Sequence, residues 1–118
     1  MRSEIILFLM IFLHIIDDFC LQGIMASMKQ KSWWKDCRPL YKYDYIAALF
    51  AHSFSWSFMI MLPVLVFGTW NPVILILNML LHAFIDDMKA NRMKINLIAD
   101  QTIHLVQILV TWFCFVVN

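Results

Sequence analysis

The chain has 118 residues, of which 63% are hydrophobic and 14% charged, with a formal net charge of +1. A soluble domain of this length cannot bury so much apolar surface, so lipid is the expected solvent for much of it. The charge balance gives no sign of a nucleic-acid partner, and no nucleic acid is expected.

Four stretches approach the roughly 20 residues that a bilayer-crossing helix requires. The first runs from about Glu4 to Gln22. His14, Asp17 and Asp18 interrupt it and no small-residue cleavage site follows, which argues against a signal peptide. A basic, aromatic segment comes next, with Lys29, Lys31, Lys35, Arg38 and Lys42 among Trp33, Trp34, Tyr41, Tyr43 and Tyr45. The second stretch, about Tyr45 to Phe67, holds Pro63, which predicts a kink. After the uncharged Gly68-Thr69-Trp70-Asn71 connection, the third runs from Pro72 to about Asp87, rather short for a span. Lys89, Arg92 and Lys94 then precede the fourth, about Ile95 to Val117. Polar residues recur every three or four positions, without the alternation of a barrel strand. The expected fold is all-α: a single domain, an integral membrane bundle of four transmembrane helices, with a basic amphipathic cytoplasmic segment between helices one and two.

Loop charge sets the orientation. The first and third loops carry nearly all the Lys and Arg residues and the second carries none, so the first and third are expected in the cytoplasm and both termini outside it. The expected location is the inner (plasma) membrane, multi-pass. Membrane lipids are the expected partners, with anionic headgroups at Lys29, Lys31, Lys35 and Lys89. A homo-oligomer is compatible, although Gly23 and Gly68 form no glycine dimer motif.

Each stretch carries one histidine: His14, His52, His82 and His104. Three of them stand four residues from an aspartate, as His14 with Asp18, His82 with Asp86, and Asp100 with His104. Spacing of four puts both side chains on one helical face. Given the orientation, all four histidines fall roughly 10–12 Å below the cytoplasmic surface at 1.5 Å per residue. The aspartates lie one turn closer to that surface, and the reversed order in helix four follows from its reversed direction. Pairs that only hold helices together need no common depth. The polar stripes continue through Gln22, Asn78, Gln107 and Thr111. Charged groups at membrane depth face the bundle interior and one another.

His14, Asp18, His52, His82, Asp86, Asp100 and His104 are therefore candidate metal ligands, enough for one ion or for two with positions left for water. Imidazole with carboxylate suits a divalent transition metal, zinc first, with manganese, iron or nickel compatible. Cys20, Cys37 and Cys114 form no C-x-x-C, so neither a zinc ribbon nor a redox pair is indicated. Asp17 and Asp87 read either as partners orienting a histidine or as solvated end charges.

The motif H-I-I-D-D-F-C-L-Q from His14 to Gln22 resembles the signature of small membrane proteins catalogued as domain of unknown function 3307, which occur in bacteria and their phages. The resemblance continues through Lys29 or Lys31, His52, H-A-F-I-D-D-M-K from His82 to Lys89, and D-Q-T-I-H from Asp100 to His104. It implies an integral membrane protein and supplies no activity. A weaker likeness to membrane-bound metal-dependent hydrolases is analogy only.

Two function classes follow. One is a metal-dependent hydrolase acting on a lipid or lipid-linked phosphate at the cytoplasmic leaflet, with Asp18, Asp86 or Asp100 as general base. The other is non-enzymatic: an ion or proton carrier, or a small membrane protein acting through a partner. The outer halves of the stretches are almost wholly apolar, which favours a one-sided pocket over a through-pathway.

Overall fold

The computed structural model describes residues 2–68 and 71–117; Thr69 and Trp70 of the second connection lie outside the described residues. Helix α1 spans Arg2–Ile16 and passes into a π-helical turn at Asp17–Leu21. Gly23, at φ 55°, ends that segment in the left-handed region that a residue without Cβ enters at little cost. The short α2, Met25–Met28, follows, and then 3-10 turns at Lys31–Trp34 and Pro39–Tyr41. The long helices α3, Asp44–Phe67, α4, Pro72–Ala90, and α5, Leu97–Trp112, complete the chain with a π-helical turn at Phe113–Val117. The all-helical expectation holds, with no strand among the described residues.

The helix starts follow from their residues. Asn71 accepts hydrogen bonds from the backbone N–H groups of Val73 (3.0 Å) and Ile74 (3.4 Å) ahead of α4, with Pro72 in the first helical position. Asn96 caps α5 in the same way through Ala99 N–H at 2.9 Å. Pro63 is accommodated inside α3.

Helix α3 packs against α1 and α4, and α5 packs against α4 and α1, so the four long helices close into a ring. At the end away from α2 the ring is filled by Ile6, Met10, Ile60, Met61, Val64, Leu75 and Ile108. At the other end its interior is polar. His14, His52, His82, His104, Asp17, Asp86 and Asp100 are all buried there, while Phe8, Phe12, Phe54, Phe84, Val106 and Val110 face outward. A water-soluble bundle has the opposite polarity.

Two helical runs, Pro39–Phe67 and Leu97–Val117, are long and apolar enough to cross a membrane. Helices α1 and α4 are not among them. The α-helical part of α1 is 15 residues long, and α4 ends in Asp86, Asp87 and Lys89. Length and composition thus support two of the four expected spans.

Candidate metal centre

The polar end of the ring is assembled from every long helix. Helix α1 brings His14, and its π turn brings Asp17 and Asp18. A π turn widens the helix and shifts the register of the residues beyond it. Here two consecutive aspartates reach the interior, Asp17 fully and Asp18 nearly so. Helix α3 supplies His52, Ser55 and Trp56, α4 supplies His82 and Asp86, and α5 supplies Asp100 and His104.

The centre of the site is a pair of imidazoles. His52 Nε2 lies 3.2 Å from His82 Nε2. Asp18 Oδ1 lies 3.2 Å from His52 Nε2 and 4.0 Å from His82 Nε2. Asp86 Oδ2 lies 3.4 Å and 3.5 Å from the same two nitrogens. Ligand bonds of about 2.0–2.2 Å in a tetrahedral zinc site place neighbouring ligand atoms roughly 3.3–3.6 Å apart. Four of these separations lie close to that spacing, and the 4.0 Å between Asp18 and His82 exceeds it. Asp18 Oδ1 is buried and finds no hydrogen-bond donor among the described residues. An unsatisfied carboxylate oxygen aimed at two imidazole nitrogens is costly without a cation or proton between them.

Ligand atoms within 4.8 Å of one another form two groups among the described residues: Asp18, His52 and His82, and His82, Asp86 and His104. Asp86 connects the groups, since its Oδ1 lies 3.3 Å from His104 Nε2. Two expected ligands stand beside these groups. His14 Nδ1 accepts the indole N–H of Trp56 at 2.7 Å. Asp100 Oδ1 lies 3.2 Å from His104 Nε2, while its Oδ2 accepts from Lys89 at 2.8 Å and Gln101 at 3.1 Å.

The aspartate doublets separate into different roles. Asp17 Oδ1 accepts the Ser55 hydroxyl at 2.6 Å, and its Oδ2 faces His52 Nδ1 at 3.7 Å. It stands behind His52, on the side away from Asp18 and beyond hydrogen-bond reach of the imidazole. Asp87 points outward and pairs with Asn91 at 2.7 Å and Arg92 at 3.2 Å.

Two lysines cap the site. Lys29, immediately after α2, is buried and places its Nζ 2.6 Å from Asp86 Oδ2, with a second bond to Gln22. Its basic surroundings in the sequence suit a headgroup contact, but the four-carbon stem carries the ammonium inward. Lys89, past the apolar part of α4, is half-buried. Burial pulls its pKa down, but the Asp100 carboxylate outweighs that and holds it above the ordinary lysine value. Trp56 had no assigned role from sequence. It stacks on His82 at 4.2 Å between centroids, and the His82 ring stacks in turn on His104 at 4.1 Å. Its signal was present, because it follows His52 by four residues and shares its face.

A family model described as "Protein of unknown function (DUF3307)" matches residues 6–118. The chain belongs to that family. The match spans His14 to His104, so the whole candidate centre lies in the DUF3307 region. No curated protein and no solved structure matches the chain.

Proposed function

We propose that this chain is a membrane-embedded protein that holds one divalent transition metal, zinc first, through His52, His82 and Asp18. The convergence of the two Nε2 atoms with Asp18 Oδ1 carries the reading. Charge supports it as well. The buried carboxylates of Asp17, Asp18, Asp86 and Asp100 outnumber the ammonium groups of Lys29 and Lys89 that face them. A bound cation offsets negative charge that is costly to leave uncompensated at membrane depth.

The proposed fold is a four-span bundle in the inner membrane with both termini outside the cytoplasm. The outward apolar faces of α1 and α4, with Phe8, Phe12, Leu80, Leu81 and Phe84, support the two further spans. The positive charge of the α1–α3 and α4–α5 connections supports the orientation.

The proposed activity is hydrolysis of a lipid or lipid-linked phosphate at the cytoplasmic leaflet. Three protein ligands leave a fourth position open, as catalytic zinc sites do, and the metal would lower the pKa of a water bound there. Asp86, whose Oδ2 lies 3.4 and 3.5 Å from the two imidazole nitrogens, would accept the proton of that water. Lys89 lines a cavity of about 340 Å³ with Gln22, Lys29 and Gln30, and its half-buried ammonium would hold the substrate's phosphate there.

Metal analysis of detergent-purified protein, with lipid-phosphate hydrolysis measured in parallel, tests the proposal. Wild type should carry about one ion per chain, and the His52→Ala and His82→Ala variants should lose it. Asp86→Asn should keep metal and lose turnover by about 100-fold or more, the usual scale for a general base. Equal metal in wild type and both histidine variants would sink the metal reading.

An ion carrier is the second reading. It is favoured by the polar contacts beyond the histidines, where Gln107 donates to Asn78 Oδ1 at 2.9 Å and Asn78 to Thr111 at 3.2 Å. Histidine-dependent ion flux across proteoliposomes, without hydrolysis, would favour it.

A further inference from the structure

The connection between α2 and α3 forms an open cleft of about 560 Å³ that shares no lining residue with the candidate metal centre. Lys31, Lys35, Arg38 and Lys42 line it together with Trp34 and Tyr45. Among the described residues, none of these four cations pairs with a carboxylate, although Asp36 and Asp44 are in the same segment. Like charges gathered around a concavity repel one another and focus a positive potential into it. All four side chains are exposed at its rim, where an anion can reach them.

The walls are held in place. Trp34 donates its indole N–H to Met28 O at 2.8 Å and stacks on Tyr41 at 6.5 Å. Lys31 lies 5.2 Å over the Tyr45 ring, while its backbone N–H bonds Asn91 Oδ1 at 2.6 Å. Asn91 also donates to Lys29 O at 3.0 Å, which ties this segment to the end of α4. Trp33, Leu40 and Ile24 are exposed on the neighbouring surface, an apolar fringe suited to the depth of lipid headgroups.

We propose that this cleft binds the phosphate group of an anionic ligand, gripped by Lys31, Lys35, Arg38 and Lys42. Arg38 offers a planar fork for two phosphate oxygens, and the lysines add point charges around it. An anionic phospholipid headgroup and a soluble phosphomonoester present the same group. The site is independent of the metal reading; only the lipid source rests on the membrane reading.

Cys37 is exposed and lines the cleft, so its reactivity reports an occupant. The experiment measures the rate of Cys37 modification by N-ethylmaleimide in full-length Cys20→Ser, Cys114→Ser protein in nanodiscs. Phosphatidylcholine discs are compared with discs containing increasing phosphatidylglycerol, and with phosphatidylcholine discs plus glycerol 3-phosphate. Slowing by phosphatidylglycerol alone identifies the lipid; slowing by glycerol 3-phosphate identifies a soluble source. Each cation near such a surface contributes about 1 kcal/mol, so Lys35→Gln with Arg38→Gln should move the midpoint about 30-fold. Arg92→Gln with Lys94→Gln removes equal charge outside the cleft and should leave the midpoint in place. No slowing by either ligand, or an equal shift in both double variants, overturns the proposal.

Discussion

His52 Nε2 and His82 Nε2 lie 3.2 Å apart in the interior of the ring, carried by the adjacent helices α3 and α4. Each imidazole has its second nitrogen turned away from the other. His52 Nδ1 faces Asp17, and His82 Nδ1 is buried without a hydrogen-bond partner among the described residues. The two Nε2 atoms and the facing carboxylates are therefore one unit, whose occupancy should govern both stability and binding.

Zinc should stabilise the folded protein. At a concentration one hundred times Kd a ligand specific for the native state adds about 2.7 kcal/mol. Thermal melting in detergent should show a higher Tm with zinc than with chelator, and His82→Ala should abolish the difference. An identical Tm in both conditions would count against the site.

The aspartate doublets should respond unequally. Asp17→Asn removes a buried negative charge beside His52 and should weaken metal affinity by about 10-fold, the low end for losing a carboxylate behind a ligand imidazole. Asp87→Asn keeps an acceptor for Asn91, loses only the ion pair with the exposed Arg92, and should stay within about 0.5 kcal/mol of wild-type stability. Competition titration against a chromogenic chelator measures the first and melting the second.

Lys29→Met leaves the Asp86 carboxylate buried with less compensation. Breaking a buried ion pair costs about 3–5 kcal/mol. Adding Asp86→Asn should recover much of that loss, because the stranded charge is then gone. A double-mutant cycle from chemical denaturation reads the coupling, and strictly additive losses would show that the pair does not act as one.

Trp56→Phe keeps a ring against His82 but removes the N–H that His14 Nδ1 accepts. The unsatisfied imidazole should cost about 1–3 kcal/mol. Asn78→Ala, which breaks the Gln107 and Thr111 contacts, should cost less, about 0.6–1.7 kcal/mol, as hydrogen bonds between membrane helices do. Denaturation of both variants in the same detergent tests the order.

The proposed membrane orientation predicts that Cys37 is labelled from the cytoplasmic side. Sided labelling of spheroplasts and inverted vesicles with an impermeant maleimide, in protein lacking Cys20 and Cys114, should modify Cys37 only in inverted vesicles. Modification in intact spheroplasts would reverse the orientation.

The inward-facing histidines and aspartates of the candidate centre are legible because helical spacing decides which face a side chain occupies. His82 with Asp86 and Asp100 with His104 followed from a separation of four. Spacing does not decide which atom meets which. His14 shares the face but gives Nδ1 to the Trp56 indole, and Asp100 is held by Lys89 and Gln101. Asp17 was ambiguous because a regular α-helix would turn it away from Asp18, and the register change belongs to the π turn.

By itself the sequence determined the helical class, the family, and a polar face on each long stretch, because periodicity and composition are local properties. Tertiary structure decided the rest: which imidazole nitrogens converge, which carboxylate of each doublet faces inward, and that Lys29 reaches Asp86. Those are questions of distance between separate helices. Such distances are set by how the ring closes and where α2 turns back, which no spacing along one helix encodes.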